Sequence, residues 1–428
     1  MNNRILISAT GSNKGKTLIT SGLLTILKSQ YDVHAFKCGP DYIDPMYHEA
    51  VLGIPSNNLD PFFCDEDHLK ASFLHSAGEL NIIEGAMGLY DGLGASSECS
   101  AYQVAKTLDC PIALIIDCSG MGASVIAEIK GFLDMDEYKL IKGIILNHIS
   151  ESFYHKLKEA IEVACPVKVM GYLPRLNGIS LESRHLGLKN PKENNIDDVL
   201  SVLSQTLRDT LDIEALLAIM DSASSIEAPK NFEDYIKADL SGAVIGVALD
   251  DAFNFYYKDN IDALEIAGAK IVYFSPLEDT KLPDNLTALY LGGGYPELHL
   301  EELSSNESML KSIRDFVMHD KPVLAECGGF MYLLHDVDSV NMVGLINDSA
   351  EKKKGLVRFG YVYGQYKDYR LRGHEFHRYD VTEPGEAFSM IKASNGDEYK
   401  AIHTYKRMIA GFPHFYFLSD PEFLEVFS

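Results

Sequence analysis

Long apolar runs separated by helical patterns are the feature that most limits the folds open to this chain. Residues 4–9, 111–117 and 141–147 are apolar almost throughout, which is typical of strands buried on both faces of a sheet. Helical patterns lie between and after these runs, and such an alternation predicts a parallel sheet with helices on both sides. A second series begins at residues 243–248. The sequence therefore predicts an α/β protein with two doubly wound domains.

The length of the chain also favours more than one domain. A chain of 428 residues is too long for one ordinary hydrophobic core. A polar stretch that contains an amphipathic helical pattern at 196–220 lies between the two series of strands. We predict a first domain over residues 1–190, a helical linker over 191–240 and a second domain over 241–428, with the boundary near residue 235.

A glycine-rich loop follows the first predicted strand and precedes an apolar-periodic helix. Residues 10–17 are Thr-Gly-Ser-Asn-Lys-Gly-Lys-Thr, and this context is that of a phosphate-binding loop. In such a loop the backbone around Gly11 and Gly15 wraps the phosphates, and Lys16 reaches the terminal ones. The hydroxyl of Thr17 would ligate Mg²⁺. The alternative is a chance Gly-Lys-Thr on a surface turn, and the flanking strand and helix argue against it.

Carboxylates stand at the ends of two further predicted strands. Asp41 and Asp44 follow the strand at 33–37, and Glu84 ends a strand before a glycine-rich loop that carries Asp91. Carboxylates beside a phosphate-binding loop are candidates for holding Mg²⁺ or for orienting a nucleophile. Ordinary turn chemistry is the alternative for the two aspartates.

Cationic side chains cluster near the last predicted strand of the first domain. Arg184 and His185 are neighbours there, in a chain whose formal net charge is −24. Such clustering in an acidic chain suggests an anionic ligand. Asn147, at the end of another strand, could read a nucleotide base or cap the segment that follows.

A second site is predicted around Cys327. The apolar run at 322–324 leads into Ala-Glu-Cys-Gly-Gly, and a short strand that ends at a cysteine followed by small residues predicts a nucleophile elbow. The amides of Gly328, and of a glycine-rich segment that includes Gly293 and Gly294, would donate hydrogen bonds to an oxyanion. A buried free cysteine and a flexible loop are the alternatives.

A nucleophilic cysteine needs a base, and the second domain offers four candidates: His374, His377, His403 and His414. His414 stands beside a short aromatic strand near the end of the chain, which is a suitable place for meeting the elbow. Each histidine taken alone is more often structural than catalytic.

Composition argues against several classes of partner. The charge of −24 disfavours nucleic acid and anionic membrane surfaces. The seven cysteines are an odd number without a C-x-x-C pair, which disfavours disulfides and structural zinc and suggests a reducing cytoplasm. No apolar run approaches the ~20 residues of a membrane span, and the first residues run straight into a strand. We therefore expect neither a transmembrane helix nor a signal peptide.

Several segments, in the same order and spread over nearly the whole chain, resemble the cobyrinic acid a,c-diamide synthase family. That family joins a dethiobiotin-synthetase-like ATP domain to a class I glutamine amidotransferase-like domain. The segments that carry the resemblance are Phe-Lys-x-Gly-Pro-Asp-Tyr-Ile-Asp-Pro at 36–45, Glu-Gly-x-Met-Gly-Leu-Tyr-Asp-Gly at 84–92, Arg-His-Leu-Gly-Leu at 184–188, Leu-Gly-Gly-Gly-Tyr-Pro-Glu at 291–297, Glu-Cys-Gly-Gly-x-Met-Tyr-Leu at 326–333 and Gly-His-Glu-Phe-His at 373–377.

The resemblance implies ATP- and glutamine-dependent amidation of the a and c side-chain carboxylates of cobyrinic acid in cobalamin biosynthesis. Mg²⁺ would be the cofactor. ATP, glutamine and the tetrapyrrole carboxylate would be the small-molecule partners, and a homodimer remains open. The alternative is the same chemistry on Ni-sirohydrochlorin, on the way to coenzyme F430, or on another tetrapyrrole carboxylate.

The resemblance also implies roles for particular residues. Cys327 would take the amide of glutamine, and His414 would raise its nucleophilicity. The residues implied for Mg-ATP are Gly11, Gly15, Lys16, Thr17, Asp41 and Glu84. Those implied for the substrate or the activated carboxylate are Tyr42, Asp44, Asp91, Arg184 and His185. Tyr416 stands two residues after His414, where ordinary class I amidotransferases have a glutamate, so the sequence offers no evident carboxylate to orient the imidazole.

Two interpretations from other classes of protein compete with this one. A partitioning-type ATPase would carry a signature lysine five residues before Lys16, but this chain has Gly11 there, and Cys327 would be unexplained. An inactive amidotransferase domain that serves as a binding module is the second.

Overall fold

A computed structural model describes residues 2–176 and 196–428. The chain divides into two compact units, Met1–Phe232 and Glu233–Ser428. Both units are α/β, as the sequence predicts. None of the helices in the described residues is long and apolar enough to cross a membrane.

The first unit is built on a seven-stranded sheet in which neighbouring strands are all parallel. The strands are β1 (Asn3–Ala9), β2 (Val33–Cys38), β3 (Ser56–Leu59), β4 (Leu80–Glu84), β5 (Ile112–Asp117), β6 (Ile141–Asn147) and β7 (Lys168–Leu173). The helices within the described residues are α1 (Lys16–Leu27), α2 (Ile43–Ala50), α3 (Glu66–Ser76), α4 (Ala101–Thr107), α5 (Ser124–Met135), α6 (Glu151–Ala164), α7 (Ile196–Thr210) and α8 (Ile213–Asp221).

The strand order of this sheet is β3-β2-β4-β1-β5-β6-β7. The chain therefore starts in the middle of the sheet, with β2, β3 and β4 on one side of β1 and β5, β6 and β7 on the other. In such a sheet, ligands bind beyond the carboxyl ends of the strands, where the order reverses. The phosphate-binding loop predicted at 10–17 follows β1 at that edge. In addition, Glu84 on β4 lies directly between Ile7 on β1 and Lys37 on β2 in the strand register.

Helices α7 and α8, which the sequence assigns to a linker, pack into the core of the first unit. Leu203 and Leu207 on α7 and Leu216 on α8 belong to the same buried cluster as Ile5 on β1 and Ile19 on α1. These side chains cover one face of the sheet, while a second apolar cluster covers the other face. The two helices therefore contribute to the stability of this unit.

We expect Leu203→Ala to lower the free energy of unfolding by about 2–5 kcal/mol, because it leaves a cavity in a packed core. Leu203 is 0% exposed, whereas its neighbour Val202 is 50% exposed. Val202→Ala on the same helix is therefore the control and should change the free energy by about 0.5 kcal/mol or less. Urea unfolding of the full chain measures both, and equal effects would show that α7 is not part of this core.

The second unit contains three sheets. Its strands are β8 (Val244–Ala248), β9 (Lys270–Phe274), β10 (Ala288–Leu291), β11 (Val323–Glu326), β12 (Leu334–Val337), β13 (Val340–Asn341), β14 (Ile346–Lys352), β15 (Arg358–Tyr366), β16 (Tyr369–His377), β17 (Tyr379–Asp380), β18 (Phe388–Lys392), β19 (Glu398–Ala401), β20 (His403–Tyr405), β21 (Met408–Gly411) and β22 (His414–Tyr416). Its helices are α9 (Lys258–Ile266), α10 (Leu300–Ser305), α11 (Glu307–Met318) and α12 (Gly328–Leu333).

The central sheet of this unit has the order β20-β21-β11-β10-β8-β9, and only the edge strand β20 is antiparallel. The other two sheets have the orders β13-β12-β14-β17 and β19-β18-β15-β16-β22. The sequence-based prediction did not include them. Strand β16 alternates buried and less buried side chains, which is typical of an antiparallel sheet with one face toward solvent.

Candidate active sites

The predicted phosphate-binding loop has a backbone conformation at Gly15 that favours glycine. Gly15 caps the start of α1 with φ +94, a left-handed conformation that side chains with a Cβ rarely adopt. A Cβ at this position would also lie 2.4 Å from Nδ2 of Asn147. That nitrogen donates a hydrogen bond to the carbonyl of Lys14 at 2.8 Å. Asn147, at the end of β6, thus holds the loop in place.

The side chain of Lys16 lies along the carboxyl edge of the sheet. Its ammonium donates hydrogen bonds to the carbonyl of Gly11 at 3.0 Å and to the carbonyl of Met87. Burial and the nearby charge of Lys37 lower the pKa of Lys16 to about 8. The lysine thus lies between two glycine-rich loops that the sequence assigned to the same site.

Beneath the loop, Lys37 joins two buried carboxylates. Oε1 of Glu84 accepts hydrogen bonds from the hydroxyl of Thr17 at 2.7 Å and from the ammonium of Lys37 at 2.8 Å. The same ammonium forms an ion pair with Asp44. Lys37 and Asp44 are each 4% exposed and Glu84 is 0% exposed. The ammonium of Lys37 therefore pairs directly with two acidic groups of the predicted site.

The pKa values reflect a competition between burial and pairing. Burial opposes the charge on Lys37, but the carboxylates of Asp44 and Glu84 outweigh it and hold its pKa well above the ordinary value. Burial likewise acts against the charge on Asp44, yet Lys37 brings the pKa of that carboxyl below its ordinary value. For Glu84 burial prevails, and its pKa rises to about 7.

The donor set around Thr17 and Glu84 fits Mg²⁺. Hydroxyl and carboxylate oxygens are the hard ligands that this ion prefers, and Oε2 of Glu84 is buried without a hydrogen-bond partner among the described residues. Within those residues, no group of three or more His, Cys, Asp or Glu side chains could hold a metal.

Other predicted residues hold the surrounding loops. Oδ1 of Asp41 accepts the backbone N–H of Ile43 at 2.8 Å, at the start of α2. Oδ2 of Asp91 accepts the N–H of Gly88 at 2.8 Å. Tyr42, the residue before α2, is 8% exposed. The predicted residues Arg184 and His185 lie outside the described residues.

Two residues of this site were missing from the sequence-based assignment. One is Lys37, whose signal was a lysine within an otherwise apolar strand. The other is His48 on α2, whose Nε2 lies 4.0 Å from Oε2 of Glu84, with both side chains 0% exposed. Burial lowers the pKa of His48 to about 4, so its imidazole is neutral at pH 7.

We expect Lys37→Met to lower the free energy of unfolding at pH 7 by about 3–5 kcal/mol, because it removes the ammonium that pairs directly with two buried carboxylates. Without the lysine, the folded-state pKa values of Asp44 and Glu84 lie above their unfolded values near 4. Their contribution to stability is then present below pH ~4 and is lost as pH rises. Denaturant unfolding should therefore show a smaller loss at pH 5 than at pH 7.

The control for this change is Lys142→Met, since Lys142 is an exposed lysine on β6 of the same sheet. It should leave stability nearly unchanged at both pH values. A loss for Lys37→Met that is the same at pH 5 and pH 7 would contradict the charge-based explanation.

In the second unit, Cys327 stands at a sharp strand-to-helix turn. Strand β11 ends at Glu326 and α12 begins at Gly328. Cys327 has φ +49, which is unusual for a residue with a side chain and is often found at active sites. Its amide donates a hydrogen bond to the carbonyl of Gly411 on the adjacent strand at 2.8 Å. The strand, turn and helix predicted from sequence are all present.

The glycines predicted to bind an oxyanion are close to one another and to His414. A Cβ on Gly293 would lie 2.3 Å from Cε1 of His414, so only glycine permits this approach. A Cβ on Gly328 would lie 3.1 Å from the amide nitrogen of Gly294. The glycine-rich segment after β10 therefore lies close both to the start of α12 and to the imidazole of His414.

A carboxylate lies beside His414, contrary to the sequence-based expectation. Nδ1 of His414 is 3.9 Å from Oε2 of Glu326, the residue immediately before Cys327. Tyr416 occupies the position where a glutamate is usual, and its hydroxyl donates a hydrogen bond to Asp259 at 2.8 Å. The clue in the sequence was a glutamate that ends the apolar strand β11.

Burial dominates the pKa values of this second site. It raises the pKa of the Cys327 thiol well above the ordinary value, and the charge of Glu297 adds to this effect. Burial also raises the pKa of Glu326 to about 8. For His414, burial and the nearby charges of His374 and His377 lower the pKa to about 3. A thiol in such surroundings is unreactive unless a base removes its proton.

The remaining candidate histidines make structural contacts. Nδ1 of His377 lies 2.7 Å from the carbonyl of Tyr379, and its ring stacks on Phe412 with a centroid distance of 3.9 Å. Nε2 of His403 lies 2.6 Å from the carbonyl of Glu383. His374 is the strand partner of His414. Among the four histidines, His414 is the one that lies against both Gly293 and Glu326.

Two protein-family models match this chain, one in each of its two units. Residues 244–422 match the family model of the CobB/CobQ-like glutamine amidotransferase domain. Residues 5–188 match that of the CobQ/CobB/MinD/ParA nucleotide binding domain. Each match falls within one of the two units.

Full-length relatives extend this result over the whole chain. A cobyrinate a,c-diamide synthase of Clostridium tetani is 40% identical over 98% of both chains. That of Clostridium acetobutylicum is 39% identical over 98% of both. The enzyme of Methanocaldococcus jannaschii is 38% identical over 98% of this chain and 97% of its own.

This chain belongs to the cobyrinate a,c-diamide synthase family. The resemblance noted from sequence motifs is thereby confirmed. The protein is a glutamine-hydrolysing carbon–nitrogen ligase with a nucleotide-binding domain in the first unit and a glutamine amidotransferase domain in the second.

Proposed function

We propose that this protein amidates the a and c side-chain carboxylates of cobyrinic acid in cobalamin biosynthesis, using ATP and glutamine. The observation that carries the proposal is the identity of about 40% with named cobyrinate a,c-diamide synthases over 98% of both chains. The contacts around Cys327 and around Thr17 are consistent with it, because each half of the reaction finds suitable residues.

Glutamine hydrolysis is assigned to Cys327 and His414. The imidazole takes the thiol proton, and the sulfur attacks the side-chain amide carbon of glutamine. The amides of Gly328 and of Gly293 and Gly294 stabilise the negative oxygen that forms. The proton then passes to the amide nitrogen, ammonia leaves, and water hydrolyses the thioester to glutamate.

Carboxylate activation is assigned to the first unit. A side-chain carboxylate of the macrocycle attacks the γ-phosphorus of ATP and releases ADP, and ammonia then displaces phosphate to give the amide. A carboxylate at neutral pH is a poor acylating agent, which is why ATP is needed. The backbone of Gly11 and Gly15 and the ammonium of Lys16 bind the triphosphate.

Thr17 and Glu84 would hold Mg²⁺, which when bound neutralises charge on the phosphates. We assign Asp41 to the same Mg-ATP site. Asp44, Tyr42, Asp91, Arg184 and His185 are assigned to the substrate or to the activated carboxylate. Lys37 keeps the Asp44 carboxylate ionised next to this site, so that its oxygens can act as acceptors.

Cys327→Ser should abolish amidation with glutamine as nitrogen donor, while amidation with ammonium chloride continues. The hydroxyl of serine is a much weaker nucleophile than a thiolate in this setting. Product is measured by mass spectrometry with each donor. Cys64→Ser, in the first unit, is the control and should keep both activities. If glutamine-dependent amidation survives in Cys327→Ser, the assignment of the nucleophile is wrong.

The choice of macrocycle is tested separately. Purified protein is given cobyrinic acid or Ni-sirohydrochlorin, each with glutamine, ATP and Mg²⁺. We expect two successive mass changes of about 1 Da on cobyrinic acid, since each amidation replaces OH by NH₂. Turnover of the nickel compound without turnover of cobyrinic acid would favour the coenzyme F430 pathway instead.

A further inference from the structure

We propose that Glu326, the residue immediately before the nucleophile, positions the imidazole of His414 for proton transfer from Cys327. The inference rests on the proposed roles of Cys327 and His414. Glu326 acts through the histidine and does not touch glutamine, so it is a positioning residue.

The strand register brings Glu326 to His414. Glu326 is the last residue of β11 and is the strand partner of Gly411 on β21. Three residues further along the chain, His414 opens β22. Its Nδ1 lies 3.9 Å from Oε2 of Glu326, and the two side chains are 3% and 2% exposed. A charged group is rarely buried to this extent without a specific partner.

Both oxygens of Glu326 are held by donors from two other segments. Oε1 accepts the backbone N–H of Phe415 at 2.9 Å, and Oε2 accepts the hydroxyl of Tyr290 at 2.8 Å. Phe415 follows His414 directly, so the first bond fixes the backbone that carries the imidazole. Both donors favour the charged form of the carboxylate against the effect of burial.

Two residues after His414, where ordinary class I amidotransferases have a glutamate, this chain has a tyrosine that contacts a different residue. Tyr416 donates to Asp259, the second residue of α9, and so holds β22 to a neighbouring helix. Asn260 adds to this attachment through bonds to the carbonyl of Phe415 and the amide of Phe417, both at 2.8 Å. Residues after His414 thus hold β22 in place, whereas Glu326, which lies beside the imidazole, comes from the end of β11 next to Cys327.

The proton movements define what Glu326 contributes. When Nε2 of His414 takes the thiol proton, the S–H bond breaks and an N–H bond forms, leaving a thiolate and an imidazolium. The Nδ1–H of that imidazolium faces Glu326, and a carboxylate there holds the ring orientation and stabilises its charge. When the proton moves on to the leaving ammonia, the imidazole returns to the neutral form.

Other titratable groups surround this pair and bear on its pH dependence. They are Tyr290 on β10, Glu297 after the glycine-rich segment, and His374, Glu375 and His377 on β16. Glu297, Glu326 and Glu375 each raise the pKa of the Cys327 thiol through their charge. This allows a test that separates positioning from a simple effect of charge.

Glu326→Gln is the central variant, because glutamine keeps an acceptor for the Phe415 amide but carries no charge. We expect kcat for glutamine hydrolysis to fall about 10²- to 10⁴-fold, as when a histidine loses its orienting carboxylate, with little change in KM. Amidation with ammonium chloride should continue at the wild-type rate. Glu326→Asp restores the charge and should recover part of the loss.

Alkylation of Cys327 by iodoacetamide gives the discriminating readout. The reaction is run at pH 9, where the Glu326 carboxyl, with a pKa of about 8, is ionised. If Glu326 acts through His414, Glu326→Gln should slow alkylation several-fold at that pH. If it acts only by its charge on the thiol, the same variant should speed alkylation. Glu297→Gln is the matched control, since removing that charge should lower the pKa of the thiol and speed the reaction. Faster alkylation in Glu326→Gln would overturn the proposal.

Tyr290→Phe provides a second test should Glu326→Gln fail to fold. It removes only the hydroxyl that donates to Glu326, which should raise the pKa of that carboxyl and move the acid limb of the kcat profile to higher pH. An unchanged profile would contradict the proposal. Glutamine hydrolysis that survives in Cys327→Ser would instead refute the proposed function, so the two failures are distinguishable.

Discussion

Parallel pairing of strands is the constraint on which both sites depend. Parallel strands end at the same edge of a sheet, so polar residues that terminate neighbouring strands become neighbours in space. In the first unit this places Glu84 beside Lys37 in the register. In the second unit it places Glu326 opposite Gly411, three residues before His414. Residues far apart in sequence meet because the strands that carry them are adjacent.

The two units stabilise buried acidic groups in different ways. In the first, the ammonium of Lys37 pairs with Asp44 and Glu84. In the second, Glu326 is held by an amide N–H and a phenolic hydroxyl. The charge of Lys37 brings the pKa of Asp44 below its ordinary value, whereas burial prevails at Glu84 and Glu326 and raises their pKa values to about 7 and about 8. The arrangement around Glu326 suits the role that we propose for it, which is to stabilise a positive charge that forms on His414 only during the reaction.

The sequence predicted most of the framework and most of the candidate residues. Apolar runs identified β1, β5 and β6, and the glycine-rich loop identified the start of α1, because these signals are local. The packing of α7 and α8 onto the first sheet was not predicted, since an amphipathic helix does not say which surface it covers. The antiparallel sheet that contains β15 and β16 was also missed, although β16 shows the alternation of buried and less buried residues.

By itself, the sequence determined the α/β class and the strand-to-helix turn at Cys327, and it predicted the phosphate-binding loop at 10–17, because each depends on residues next to one another in the chain. Only the tertiary structure decided which side chains lie together at each candidate site. Lys37 joins Glu84, and Glu326 joins His414, through strand order and register, which no local pattern encodes. For the same reason, the carboxylate that we propose to position His414 precedes the cysteine by one residue and does not follow the histidine.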